Sequence, residues 1–160
     1  MRIFNRLEEV FLIALFTLAL SALTAQLLSR YLLPVQFAWT EELARLSFTW
    51  IVFFGAAYAM RTGGLIAVTM LVDALPDRPR AAIAIAMHLA GAVFFAVVAW
   101  SGTTVAMKVA NLPTIAVGVS STWEYAAVPA ASALMLVRSL GAIRSIWRDG
   151  LPRRSVETMI

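Results

Sequence analysis

Cysteine is absent from all 160 residues, which excludes thiol nucleophiles, disulfide exchange and thiolate metal sites. Histidine occurs once, at position 88. Charge is scarce: 14% of the residues are Asp, Glu, Lys or Arg, against ~25% in an ordinary soluble domain. What fills the space is apolar. Hydrophobic residues make up 61% of the chain, against ~45–50% in soluble proteins. A chain this short has too much surface to hide that excess in one soluble core. The composition is that of a membrane protein.

Charge-free runs locate the spans. Val10 to Ser29 is 20 residues without a charge, enough at ~1.5 Å per residue to cross a ~30 Å hydrocarbon core. Ala81 to Met107 is charge-free for 27 residues, more than a perpendicular crossing needs; tilt absorbs the surplus. Residues 121–140 form a further candidate, with Glu124 in the first turn and Arg138 in the last. The remaining one runs from Trp39 to Met60. Its charge-free part, Leu46 to Met60, is only 15 residues, so it spans only if the opening WTEELAR supplies its first turns. Lipid offers the backbone no hydrogen-bond partner, so each span is a helix. The expected fold is an all-α integral membrane domain over 1–160, with four transmembrane helices at about 10–29, 39–60, 81–107 and 121–140. Shorter apolar pieces at about 31–38 and 65–75 are expected to lie in the membrane interface. The residues from 141 to 160 form a basic tail, a juxtamembrane anchor with Trp147 among its arginines.

The net charge of +4 calls for no nucleic acid. With both termini in the cytoplasm, ten basic residues fall on inner segments and three (Arg30, Arg45 and Lys108) on outer ones. That is a positive-inside distribution. Glu8 and Glu9 interrupt the basic N-terminus, and the first run is longer than a signal peptide's, so an uncleaved span is expected.

The second span opens with its charges. On a helix, Glu41, Arg45, Phe48 and Val52 share one face, while Trp39, Leu43, Leu46, Trp50, Phe53 and Ala57 share the opposite one. Glu41 stands four residues before Arg45, the favourable order for an intrahelical pair. Carboxylates also suit a helix N-terminus, and Trp39 suits the aromatic belt. Two readings stand side by side. The glutamates cap the helix end, or Glu42, which has no basic residue four positions ahead, finds its partner in another chain.

Other polar residues carry less. His88 has no acidic residue within a helical turn and lies 13 positions from Ser101, out of reach for a dyad on one helix; an interhelical hydrogen bond is expected of it. Ala82, Ala86 and Ala90, beside Gly91, make a small-residue stripe that suits packing inside the chain or between subunits equally. Pro129 should bend the last span. Asp73, Asp77, Arg78 and Arg80 read as a solvated turn. Gly63-Gly64 is a turn signal and not a phosphate loop, since no GK[ST] follows. No nucleophile, base or metal constellation is present, so no enzyme and no cofactor are expected. A self-contained homo-oligomeric transporter or channel is the alternative. Such proteins usually carry a charge near the bilayer centre, whereas here every acidic residue lies near a span end.

The ordered set Trp39-Thr-Glu41-Glu42-Leu-Ala-Arg45, Trp50, Phe53, Gly55-Ala56, Arg61, Leu112-Pro113, Trp123-Glu-Tyr125, Pro129, Leu134-Met135 and Arg138 resembles the small, Q-type (DctQ-like) membrane subunit of TRAP transporters, the tripartite ATP-independent periplasmic transporters. One departure stands out. Where that family often has a histidine followed by Ile-x-Val-Asp after the second span, this chain reads Leu65-Ile66-Ala67-Val68-Thr69, without either polar position. The resemblance implies a scaffold subunit in the bacterial inner membrane. It would pair with a large M-type subunit that carries an organic acid with sodium, the acid being delivered by a periplasmic binding protein. It also implies subunit-interface or structural roles for Trp39, Glu41, Glu42, Arg45, Trp50, Phe53, Gly55, Arg61, Trp123, Tyr125 and Arg138. Of these, Glu42, Arg45, Trp50 and Arg61 are expected at or near the large subunit.

Overall fold

The computed structural model describes residues 2–32, 37–62, 77–114 and 116–149. Five helices account for most of them: α1 (Arg2–Leu32), α2 (Ala38–Thr62), α3 (Asp77–Lys108), the single turn α4 (Thr122–Tyr125) and α5 (Ala127–Asp149). Four segments are long and apolar enough to cross a membrane: Asn5–Leu32, Ala38–Thr62, Pro79–Lys108 and Thr122–Arg148. The last combines α4 and α5. The protein is a multi-pass, all-α membrane protein.

Several helices run past the charge-free stretches. Tyr31 and Leu32 finish α1, and α5 carries the first part of the basic tail as far as Asp149. Residues 65–75, 151–160 and the Leu65/Thr69 departure lie outside the described residues. The solvated turn expected around Arg80 is corrected. Pro79 and Arg80 belong to the first turn of α3, and Arg80 is buried. Proline is at home there, because the first N–H groups of a helix have no intrahelical partner to lose.

The helices form one open layer in the spatial order α1, α2, α5, α3. Among the described elements, the backbone of α1 approaches only that of α2, and the backbone of α3 only those of α4 and α5. We call the end where α1 finishes and α2 begins the upper end. From there α2 and α5 both run downward side by side, flanked by the upward-running α1 and α3. Among the described residues this layer is one helix thick and has two open faces. Most of the apolar surface of α3 and of α1 is exposed. Large side chains such as Phe16, Val93, Phe94 and Val97 point outward.

What is buried between the helices is small. Ala19, Ala22 and Ser29 on α1, Thr40, Ala44 and Ser47 on α2, and Ala131, Ser132 and Ser139 on α5 lie inside. Lipid tails are as apolar as leucine, so no hydrophobic force drives large residues inward; close backbone approach and van der Waals contact do the work. Three of these hydroxyls bond to carbonyls three or four residues back, while Ser139 Oγ finds no hydrogen-bond partner among the described residues. Ser29 donates to Gln26 O at 2.8 Å, Ser47 to Leu43 O at 2.8 Å and Thr40 to Phe37 O at 2.6 Å. The α2–α5 seam holds the apolar centre, where Ala57, Ala131 and Met135 gather Phe53, Phe54, Met60, Phe95 and Leu134.

Pro129 acts where the sequence places it. It has no N–H to offer Tyr125 O, four residues back, and the helix breaks between Tyr125 and Ala127. Bonds from Ala126 N to Thr122 O (2.7 Å) and from Ala130 N to Ala126 O (3.2 Å) carry the chain through the break. Gly102 of α3 lies against this point. A Cβ there would stand 3.0 Å from Pro129 Cδ and 3.2 Å from Val128 Cγ1, so the glycine permits the approach of α3.

The small-residue stripe Ala82, Ala86, Ala90 is exposed, and only neighbouring Gly91 turns inward, toward Ser139. His88 is partly buried on α3, without a hydrogen bond among the described residues; the interhelical bond expected of it is not formed.

Candidate functional site

The ion pairs of the described helices gather in two clusters, one at each end of the layer. The lower cluster joins three helices. Glu8 of α1 is buried, with 4% of its side chain exposed. It accepts from Arg138 of α5 at 2.6 Å and lies 3.3 Å from Arg61 of α2. Arg61 also donates to Glu9 at 2.7 Å and stacks its guanidinium over the Tyr58 ring at 4.6 Å. Arg138 further donates to the carbonyl of Ala57. Two carboxylates and two guanidiniums balance to zero, which lets charge reside at a membrane-embedded seam. Sequence reasoning took Glu8 and Glu9 only as a break in a basic N-terminus. Their partners stand 52 and 130 positions away, beyond any helical periodicity. The available signal was the pairing of two acids at the start of one span with Arg61 at the end of the next.

The upper cluster fastens the α3–α4 connection to α2. Residues 109–114 and 116–121 form the arms of a hairpin: Pro113 pairs with Ser120, and Thr114 N donates to Val119 O at 2.8 Å. Gly118 turns the chain with φ +72°, a conformation that costs an L-residue with a Cβ. The Glu42 carboxylate accepts from Ala116 N at 2.8 Å and from Val117 N at 3.0 Å. Below it, Arg45 Nε meets Glu124 at 3.3 Å, and Trp50 Nε1 donates to Trp123 O at 2.9 Å. Trp50 stacks on Phe54, and Phe11 of α1 meets both rings edge-on.

Two expectations are corrected here. Arg45 pairs with Glu124 rather than with Glu41, because the start of α4 brings a carboxylate beside α2. Glu42 has its partners in its own chain, since the hairpin tip presents two backbone N–H groups to it. Neither could be read from spacing along α2. Glu41 instead lines a small cavity of about 260 Å³ with Gln26, Ser29, Arg30, Phe37 and Ala38.

The eleven residues singled out in the sequence thus divide. Trp50, Glu42, Arg61 and Arg138 make tertiary contacts within the chain, and Phe53 packs on its apolar centre. Trp39, Glu41, Arg45, Trp123 and Tyr125 remain exposed, Arg45 through 62% of its side chain. Gly55 has open space where a Cβ would stand. Among the described residues no three His, Cys, Asp or Glu side chains converge as a metal site would require.

A membrane-spanning layer with charge confined to clusters near its ends is the context for the sequence comparisons. The family model described as "Tripartite ATP-independent periplasmic transporters, DctQ component" matches residues 11–149. The chain belongs to the DctQ family. Its relatives are permease subunits. It is 29% identical over 147 residues to the sialic acid TRAP transporter small permease protein SiaQ of Vibrio cholerae, covering 92% of this chain and 85% of that one. It is 30% identical over 133 residues to the C4-dicarboxylate TRAP transporter small permease protein DctQ of Rhodobacter capsulatus, covering 81% of this chain and 58% of that one. The sialic acid TRAP transporter permease protein SiaT of Haemophilus influenzae is 29% identical over 151 residues; these are 94% of this DctQ-family chain but 24% of SiaT.

Proposed function

We propose that this DctQ-family chain is the non-catalytic brace of a TRAP transporter. It would pair with a large M-type subunit that moves an organic acid with sodium, the acid being delivered by a periplasmic binding protein. The observation that carries this reading is the open layer. A self-sufficient transporter needs a protein-lined path with polar groups at mid-depth. Among the described residues one helix thickness separates two apolar faces, and the clustered ionic groups fasten helices together. The match to SiaT supports a one-to-one pairing. There the segment that matches this chain is 24% of one longer polypeptide.

The positive-inside distribution supports an orientation with the lower cluster and both termini on the cytoplasmic side of the inner membrane. The upper cluster then faces the periplasm. The exposed upper residues Trp39, Glu41, Arg45, Trp123 and Tyr125 are the members of the site set free to meet the large subunit, with Phe48 and Val52 continuing the α2 face beneath them. The inward members Glu42, Trp50, Phe53, Arg61 and Arg138 act at one remove, by holding that face in shape. The named relatives serve two different acids, sialic acid and C4-dicarboxylates, which fits a subunit that supports transport without choosing the solute.

Co-purification tests the pairing. With the large subunit tagged and co-expressed, Trp39→Ala combined with Arg45→Ala should lower recovery of this chain while its helix content is unchanged. Unaltered recovery and transport would remove those residues from the contact.

A further inference from the structure

We infer that the hairpin 109–121 is a membrane-embedded element, seated in the boundary between headgroups and acyl chains at the upper end and clamped there by Glu42. Three observations lead to it. The first is chemical. Residues 109–121 contain no Asp, Glu, Lys, Arg or His, although the segment connects two membrane helices and would ordinarily be a polar loop in water. Leu112, Val117 and Val119 are 58%, 46% and 39% exposed.

The second concerns backbone groups. In a low-polarity setting each unpaired N–H or C=O costs several kcal/mol. This hairpin pairs much of its own backbone. Thr114 N, Gly118 N and Ser121 N donate to Val119 O, Thr114 O and Leu112 O, and Ser120 Oγ donates to Ala110 O at 2.8 Å. The two tip N–H groups of Ala116 and Val117 are taken by Glu42. A loop in water has no need of a buttressing carboxylate for its tip amides.

The third is depth. The 25 residues of α2 make a rod of ~37 Å, about 7 Å longer than the hydrocarbon core, so each end overhangs by a few ångströms. Glu42 lies on the order of 6 Å below the first residue of α2, and Arg45 about 10 Å below it. The hairpin tip bonds to Glu42 and the start of α4 bonds to Arg45, so the hairpin lies beside the top of α2, not above it. The last span therefore starts deeper than its neighbour, and the uncharged hairpin fills the height left over. Trp123 and Tyr125, 60% and 42% exposed, stand at its foot, where interfacial aromatics belong.

The absence of cysteine makes the test clean. Single cysteines at Val117, at Val119 and, as a mid-span reference, at the exposed Val93 of α3 carry nitroxide labels. The full chain, in whatever complex it purifies with, is reconstituted into phosphatidylethanolamine–phosphatidylglycerol vesicles. Collision with oxygen, which partitions into lipid, is compared with collision with a water-soluble nickel chelate. Labels at 117 and 119 should favour oxygen, with a ratio shifted from bulk water toward that at 93. A ratio equal to bulk water would overturn the inference, since the hairpin would then project into solvent. Shielding from both reagents would overturn it too, by revealing a protein partner over the hairpin. Glu42→Ala should increase label mobility and nickel access at 117; an unchanged spectrum would refute the clamp.

Discussion

The lower cluster is the place to test whether charge or apolar packing fixes the order of the layer. Glu8→Gln keeps the side chain's shape and removes one charge. In the native chain the Glu8 carboxylate, almost wholly buried, serves Arg138 at 2.6 Å and Arg61 at 3.3 Å. After the change, Arg61 keeps the Glu9 carboxylate, but Arg138 is left with neutral acceptors only, the carbonyl of Ala57 and the new amide oxygen. Removing one partner of a buried pair typically costs ~3–5 kcal/mol, because the survivor is left uncompensated. Glu9 is 45% exposed and offsets part of the deficit at Arg61, so about 3 kcal/mol, the low end of that range, is expected. The assay is reversible unfolding in mixed micelles, run as a double-mutant cycle with Arg138→Gln. The double variant should recover part of the loss, giving a coupling on the order of 1–3 kcal/mol. The matched control is Glu124→Gln at the upper end. Its partner Arg45 is largely exposed, and such a pair is worth ~0–1 kcal/mol. If Glu8→Gln costs no more than Glu124→Gln, or if the two lower variants simply add, the cluster is ornament and the seam is held by its alanines and Met135.

Other outcomes are equally definite. Trp50→Phe keeps a ring against Phe54 but loses the bond to Trp123 O, and should cost ~0.5–1.5 kcal/mol in the same unfolding assay. Gly102→Val drives a branched side chain into Pro129 and Val128 and should destabilise by ~1–3 kcal/mol. Pairing it with Pro129→Ala should return part of that. Gly118→Ala places a Cβ at φ +72° and should cost ~1–2 kcal/mol, read as increased proteolysis of the hairpin in intact vesicles. Removing the charge of Arg45 should leave fold stability within ~1 kcal/mol of native while weakening recovery with the large subunit.

The four long helices are legible because lipid imposes a simple rule: about twenty uncharged residues make a crossing. Val10–Ser29 and Ala81–Met107 satisfy it outright. The Pro129 break is equally local, since one missing N–H decides it. The layer itself is not legible. Glu8 and Arg138 meet across 130 positions, and Glu42 meets Val117 across 75. Such contacts depend on which helices are neighbours, and α5 lies between α2 and α3 against their order in the chain. The buried face of α2 is a different kind of miss. Dividing that helix into an ionic face and an aromatic face passes over Thr40, Ala44 and Ser47, at spacings of four and three. In water such residues would line an unremarkable surface. In a bilayer, small residues are what helices use to approach one another, and that stripe is buried.

The central claim is that this chain is one half of a machine. Tag it in its own cell, extract it from the membrane in mild detergent, and weigh the native complex by mass spectrometry. The account predicts one copy bound to one larger membrane subunit. A complex built only from copies of this chain, active by itself in vesicles, would contradict it.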